Sequence, residues 1–89
     1  MTIRRKVTVS GQVQGVFFRA SCQEEAQRRG VAGWVENLPD GKVGAVFEGD
    51  ERDVEALIDW CRTGPDLAEV TDVQVTEQEP EGTSGFEAR

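Results

Sequence analysis

The chain has no histidine and only two cysteines among its 89 residues. Imidazole acid–base catalysis and phosphohistidine intermediates are therefore excluded. Cys22 and Cys61 lie far apart, and neither has a second Cys or a His nearby, so no metal site is expected. No apolar run approaches the roughly 18 residues that span a bilayer. The opening stretch Met1-Thr2-Ile3-Arg4-Arg5-Lys6 lacks the apolar core of a signal peptide. A cytoplasmic address without membrane association is the expectation. Basic charge is also short: 10 Lys and Arg stand against 17 Asp and Glu, a net charge of −7 with a pI near 4.5. Binding to nucleic acid by bulk phosphate neutralisation does not fit that balance.

What is present is unevenly placed. Residues 1–45 carry seven Lys and Arg against four Asp and Glu, whereas residues 46–89 carry three against thirteen. A small anion held locally in the basic half remains open, and the acidic half reads as solvated surface. The length predicts one domain over residues 1–89, burying only about 60–65% of the unfolded surface around a small core.

Residues 6–13 alternate, with Val7, Val9, Gly11 and Val13 on one face, which predicts a half-buried strand. A glycine-bearing loop follows, then a helix to about Arg29. Phe18, Cys22 and Ala26 form its apolar stripe, Arg28 and Arg29 suit its C-terminal dipole, and Gly30 stops it. Ser21 and Glu24 offer a later capping box, but Phe18 continues the stripe and favours the earlier start. Residues 31–37 read as a second strand, and Leu38-Pro39-Asp40-Gly41 as a turn. A third strand over residues 42–48 places Val43, Ala45 and Phe47 inward. Asp50 opens a second helix whose buried stripe is Val54, Leu57, Ile58 and Cys61, and Gly64-Pro65 ends it. A fourth strand over residues 70–76 turns Val73 and Val75 inward. Residues 79–85 read as a flexible connection, and residues 86–89 as a short edge strand.

The order β-α-β-β-α-β predicts an α+β, ferredoxin-like sandwich: an antiparallel sheet, two helices on one face, and a short C-terminal edge strand. The first two strands are joined through a helix and so run parallel. Their C-terminal ends, at Gln14 and Asn37, emerge at the same edge of the sheet. There the loop of residues 14–19 is suited to an anion. Gly15 lets successive N–H groups turn inward, and the following helix N-terminus adds partial positive charge. Arg19, in the first turn of that helix, is electrostatically wrong for the helix unless an anion is expected there, on which its guanidinium can fork. Taken singly, Gly15 is an ordinary strand-to-helix turn and Asn37 ordinary turn chemistry. Their convergence points to a small-anion site, without naming a reaction.

The segment Ser10-Gly11-Gln12-Val13-Gln14-Gly15-Val16-Phe17-Phe18-Arg19 resembles the acylphosphatase signature G-x-V-Q-G-V-x-F-R, matching every specified position. Gly33-Trp34-Val35-Glu36-Asn37 resembles the family's second motif, G-W-V-x-N, at its proper distance. The resemblance extends over essentially the whole chain, including the closing Ser84-Gly85-Phe86-Glu87. It implies metal- and cofactor-independent hydrolysis of small acyl phosphates to a carboxylate and inorganic phosphate. Gln14, Gly15, Val16, Phe17, Phe18 and Arg19 would bind the phosphate, for which inorganic phosphate or sulfate can stand in, and Asn37 would orient the attacking water. Leu38 departs from members that carry a hydroxyl residue there, so any support that side chain gives Asn37 is missing.

The remaining conspicuous residues have plainer readings. Cys22 and Cys61 are expected as free buried thiols; antiparallel helices leave a disulfide open, which a reducing cytoplasm disfavours. Trp34 is expected to pack on the open sheet face, Phe17 to pack at the rim of the site, and Arg4, Arg5 and Lys6 to form a solvated strand start. A monomer without nucleic-acid partners is expected. A regulatory module of the same fold is the competing reading. RNA binding is weaker still, since the third strand offers one inward Phe in an acidic domain.

Overall fold

Side-chain alternation along the first strand decides what meets the helices. The computed structural model describes residues Met1–Arg89. Strand β1 (Thr2–Gln12) turns Ile3, Val7 and Val9 into the core, while Arg4, Lys6 and Thr8 face the other way. The chain continues through α1 (Phe18–Arg29), β2 (Ala32–Asn37), β3 (Val43–Asp50), α2 (Glu51–Cys61), β4 (Glu69–Gln78) and β5 (Phe86–Ala88). The sheet order is β4-β1-β3-β2-β5. The four long strands pair antiparallel, and β5 pairs parallel to β2. Both helices cover one face of the sheet and close a core around Phe18, Phe47 and Leu57.

Local sequence accounts for both helices. Phe18, Cys22 and Ala26 are buried on α1, and Val54, Leu57, Ile58 and Cys61 on α2. The Asp50 side chain caps α2 by accepting from the Arg52 amide at 3.0 Å. Helix α1 ends in a Schellman turn, with Gly30 left-handed at φ 71° and the Val31 amide donating to the Ala26 carbonyl at 2.9 Å. The turn of residues 38–41 closes through Leu38 N–H to the Lys42 carbonyl, 2.8 Å, and Lys42 N–H to Asp40 Oδ1, 3.1 Å.

Three expectations are corrected. Strand β1 starts at Thr2 rather than residue 6, because Thr2 pairs with Asp50 and Arg4 with both Glu48 and Gln78. Arg4 is consequently only 4% exposed, not solvated. It donates to Glu48 Oε1 at 2.9 Å, Gln78 Oε1 at 2.9 Å and Thr83 Oγ1 at 2.8 Å, and lies over the Trp34 ring. The connection of residues 79–85 is tied down. Amides of Glu81, Gly82 and Thr83 donate to the buried Glu48 carboxylate at 3.0, 2.8 and 3.1 Å. These three amides, with Arg4, hold that carboxyl down at about 2 against the opposing effect of burial. Finally, Val75, across from Val7, faces the helix side as expected, but is 41% exposed rather than buried, because β4 is an edge strand paired only to β1.

Trp34 does pack on the open sheet face, between Arg4 and the Arg89 guanidinium, which stands 4.3 Å from its ring centre. Cys22 and Cys61 are free and fully buried where α1 meets α2. The neighbouring Cys61 side chain, together with burial, pushes the Cys22 thiol far above the ordinary range.

Candidate active site

Strands β1 and β2 are both antiparallel to β3 and therefore parallel to each other. Val9, Val43 and Asn37 stand in one row across β1, β3 and β2. The end of β1 and Asn37 consequently open at the same sheet edge, about two strand spacings, roughly 10 Å, apart.

Beyond β1 the backbone turns twice through left-handed space, at Gly15 (φ 74°) and Phe17 (φ 63°). Glycine adopts that conformation freely; a phenylalanine there costs on the order of 1 kcal/mol or more. Phe17 is also 72% exposed, so no burial of its ring repays the strain. What the conformation achieves is directional. None of the N–H groups of residues 15–20 meets a protein acceptor, and the first helical hydrogen bond runs from Ser21 N–H to the Phe17 carbonyl at 3.0 Å. Helix α1 has no capping side chain and no acidic residue in its first turn. Helix α2, by contrast, is capped by Asp50 and carries Glu51 and Asp53. The N-terminus of α1 is thus left positive and unsatisfied.

A pocket of about 270 Å³ opens on these amides, lined by Val13, Gly15, Phe17, Phe18, Arg19, Ala20 and Asn37. Arg19 is half-buried at its wall, and its Nη1 donates to the Arg89 main-chain oxygen at 2.5 Å. The Asn37 carboxamide has no protein partner. A larger groove of about 610 Å³ lies between α2 and β4, but its two arginines already have carboxylate partners, Arg62 with Asp59 at 4.0 Å and Arg5 with Glu77 at 3.9 Å, and no run of free amides lines it. Of the two, the smaller pocket is the one that brings amides without a protein acceptor together with a guanidinium and an uncommitted carboxamide.

A model of the family described as Acylphosphatase matches residues 5–88. An acylphosphatase of Haloarcula marismortui is 56% identical over 86 residues, covering 97% of this chain and 94% of its own length. Among solved structures, an acylphosphatase from Coxiella burnetii is similar with a TM-score of 0.94 at 40% identity, over 99% of this chain and 93% of that one. One from Bacillus subtilis gives 0.94 at 38%, over 100% and 99%. The chain belongs to the acylphosphatase family. It is a hydrolase acting on acid anhydrides, and the family implies an acyl-phosphate substrate.

Within this acylphosphatase fold the expected residues divide. Gly15, Phe17, Phe18, Arg19 and Asn37 share the pocket wall. Gln14 and Val16 do not line it: Val16 leans on the core, and the Gln14 side chain bonds to the turn after β2. Phe17 sits at the rim, as its place between two motif residues suggests. Val13 was marked only as an inward strand and motif position, and Ala20 and the Arg89 oxygen had no sequence signal of their own.

Proposed function

We propose that this chain hydrolyses the carboxyl–phosphate bond of small acyl phosphates by positioning and charge stabilisation, without a side-chain base. The observation that carries the reading is the run of unpartnered amides from residue 15 to residue 20, all but Val16 in residues that line one pocket with Asn37. The phosphoryl oxygens would take the loop amides as donors, and Arg19 would fork onto two of them in place of its contact with Arg89. Asn37 would hold a water in line with the scissile bond. Phosphoryl transfer passes through a loose transition state, so a held water and a neutralised phosphate can carry most of the acceleration. The leaving carboxylate is already a good one, and a phosphoryl oxygen of the substrate takes the water's proton. The route calls for no metal. The protein would act as a cytoplasmic monomer on a soluble substrate.

The test is hydrolysis of benzoyl or acetyl phosphate by the parent, Arg19→Ala and Asn37→Ala proteins. Arg19→Ala should lose at least ~10²–10³ in rate, the scale for removing one oxyanion donor. Asn37→Ala should lose its rate while inorganic phosphate still inhibits nearly as well. Full activity in Arg19→Ala would end the assignment, and no hydrolysis by the parent would favour a binding module.

A further inference from the structure

Gln14 is the residue whose position the proposed mechanism does not use. It stands at the start of the phosphate loop, outside the pocket, and spends both donors of its carboxamide on the far side of the site. Its Nε2 donates to the Leu38 carbonyl at 2.8 Å and to the Lys42 carbonyl at 2.9 Å. Those two carbonyls are the closing groups of the turn after β2. Leu38 O also accepts from Gly41 N–H at 3.1 Å, and Lys42 O from Leu38 N–H at 2.8 Å. Gln14 therefore completes a four-bond knot that begins one residue beyond Asn37.

The topology explains why such a tie matters. Strand β3 lies between β1 and β2, so no ladder joins the end of β1 directly to the end of β2. Pairing of β1 with β3 stops at Val9, five residues before Gln14. Both ends rest on the shared core through Val13, Phe18 and Val35, but the Gln14 side chain is the hydrogen-bonded tie from the loop to the turn beyond Asn37. Leu38 cannot steady Asn37 through a hydroxyl, and its methyl groups lie instead over Gly44.

We propose that Gln14 is a positioning residue: its side chain sets the gap between the amide cradle and the Asn37 carboxamide, so that a water on Asn37 lies in line with a phosphate in the cradle. This rests on the reading of Asn37 as the water-holding group. A displacement near 1 Å at a reacting centre can cost ~10²-fold in rate. Binding of phosphate by Arg19 and the loop amides does not depend on the gap.

The experiment is a double-mutant cycle with Gln14→Leu and Asn37→Ala, measuring kcat and KM on benzoyl phosphate, competitive inhibition by inorganic phosphate, and thermal unfolding. Gln14→Glu, isosteric but presenting a carboxylate to two carbonyls, is measured alongside and decides if Gln14→Leu does not fold. Expected is a kcat about 10- to 100-fold lower for either Gln14 variant, with phosphate inhibition changed less than about 3-fold. In the Asn37→Ala background the Gln14 substitution should lower kcat by no more than about 2-fold further, because its effect passes through Asn37. A kcat near the parent's overturns the proposal. So does a parallel loss of phosphate inhibition, which would make Gln14 part of the cradle, and so does a fully multiplicative cycle. If Asn37→Ala itself keeps the parent kcat, the water-holding reading fails, and the Gln14 proposal falls with it for that separate reason.

Discussion

Replacing Glu48 by glutamine tests how the C-terminal segment is held. The carboxylate is 3% exposed and accepts four hydrogen bonds: Arg4 Nη1 at 2.9 Å and the amides of Glu81, Gly82 and Thr83 at 3.0, 2.8 and 3.1 Å. Glutamine keeps one acceptor oxygen and turns an NH2 group toward donors at the other. It also leaves Arg4, itself 4% exposed, with only the more distant and solvent-exposed Glu81 carboxylate, at 3.8 Å, as counter-charge. Removing one partner of a buried ion pair costs about 3–5 kcal/mol. Arg4 retains Gln78 and Thr83 as acceptors, which places the expected loss near the lower end, about 3 kcal/mol. For a domain of this size about 1 kcal/mol moves Tm by roughly 5 °C, so the midpoint should fall by about 15 °C at neutral pH. The pH dependence gives a second, sharper signature. The folded carboxyl titrates at about 2, below its ordinary 4.5, so its contribution is complete above pH 4.5 and is lost as pH falls toward 2. The gap in Tm between parent and Glu48→Gln should therefore be constant above pH 5 and narrow steadily between pH 4.5 and 2. Circular-dichroism melts across that range read both effects. A Tm loss under about 5 °C, or a gap that does not narrow in acid, would refute the account of the clamp.

Two further substitutions or treatments read other parts of the structure. Gly33 has φ 134°, and a Cβ there would lie 1.8 Å from the Val46 carbonyl oxygen, so Gly33→Ala must force β2 and β3 apart. It should cost at least about 3 kcal/mol in urea unfolding, and a variant of near-parent stability would show that the close strand approach is not required. Cys22 is pushed far from thiolate formation by Cys61 and burial, and both thiols are inaccessible. A chromogenic disulfide should label neither in the folded protein at pH 8 and both after denaturation. Rapid labelling of the native state would overturn that.

Much of the fold was legible because its signals are local. A stripe such as Phe18, Cys22 and Ala26 needs only helical periodicity to declare its buried face, and Gly30 only its left-handed φ to end the helix. The site was legible at one remove. Parallel β1 and β2 follow from the order of elements, and with that order Arg19 and Asn37 had to reach the same sheet edge. The two motifs then carried the family, which no periodicity could.

Tertiary structure alone decided what covers each face and who bonds to whom. Alternation assigns Arg4 to the face away from the helices, but whether that face is wet depends on Glu48 and on residues 81–83, which arrive from the far end of the chain. Val75 obeys its alternation and is still exposed because β4 lies at the sheet edge, which nothing in its own sequence neighbourhood reveals. Gln14 is a motif residue whose hydrogen-bond partners, the Leu38 and Lys42 carbonyls, are backbone groups present in every residue and so leave no mark in the sequence. Sequence thus determined elements, faces and the edge where the candidate pocket opens. The long-range contacts that desolvate a charge or join a loop to a distant turn exist only when the chain has closed on itself.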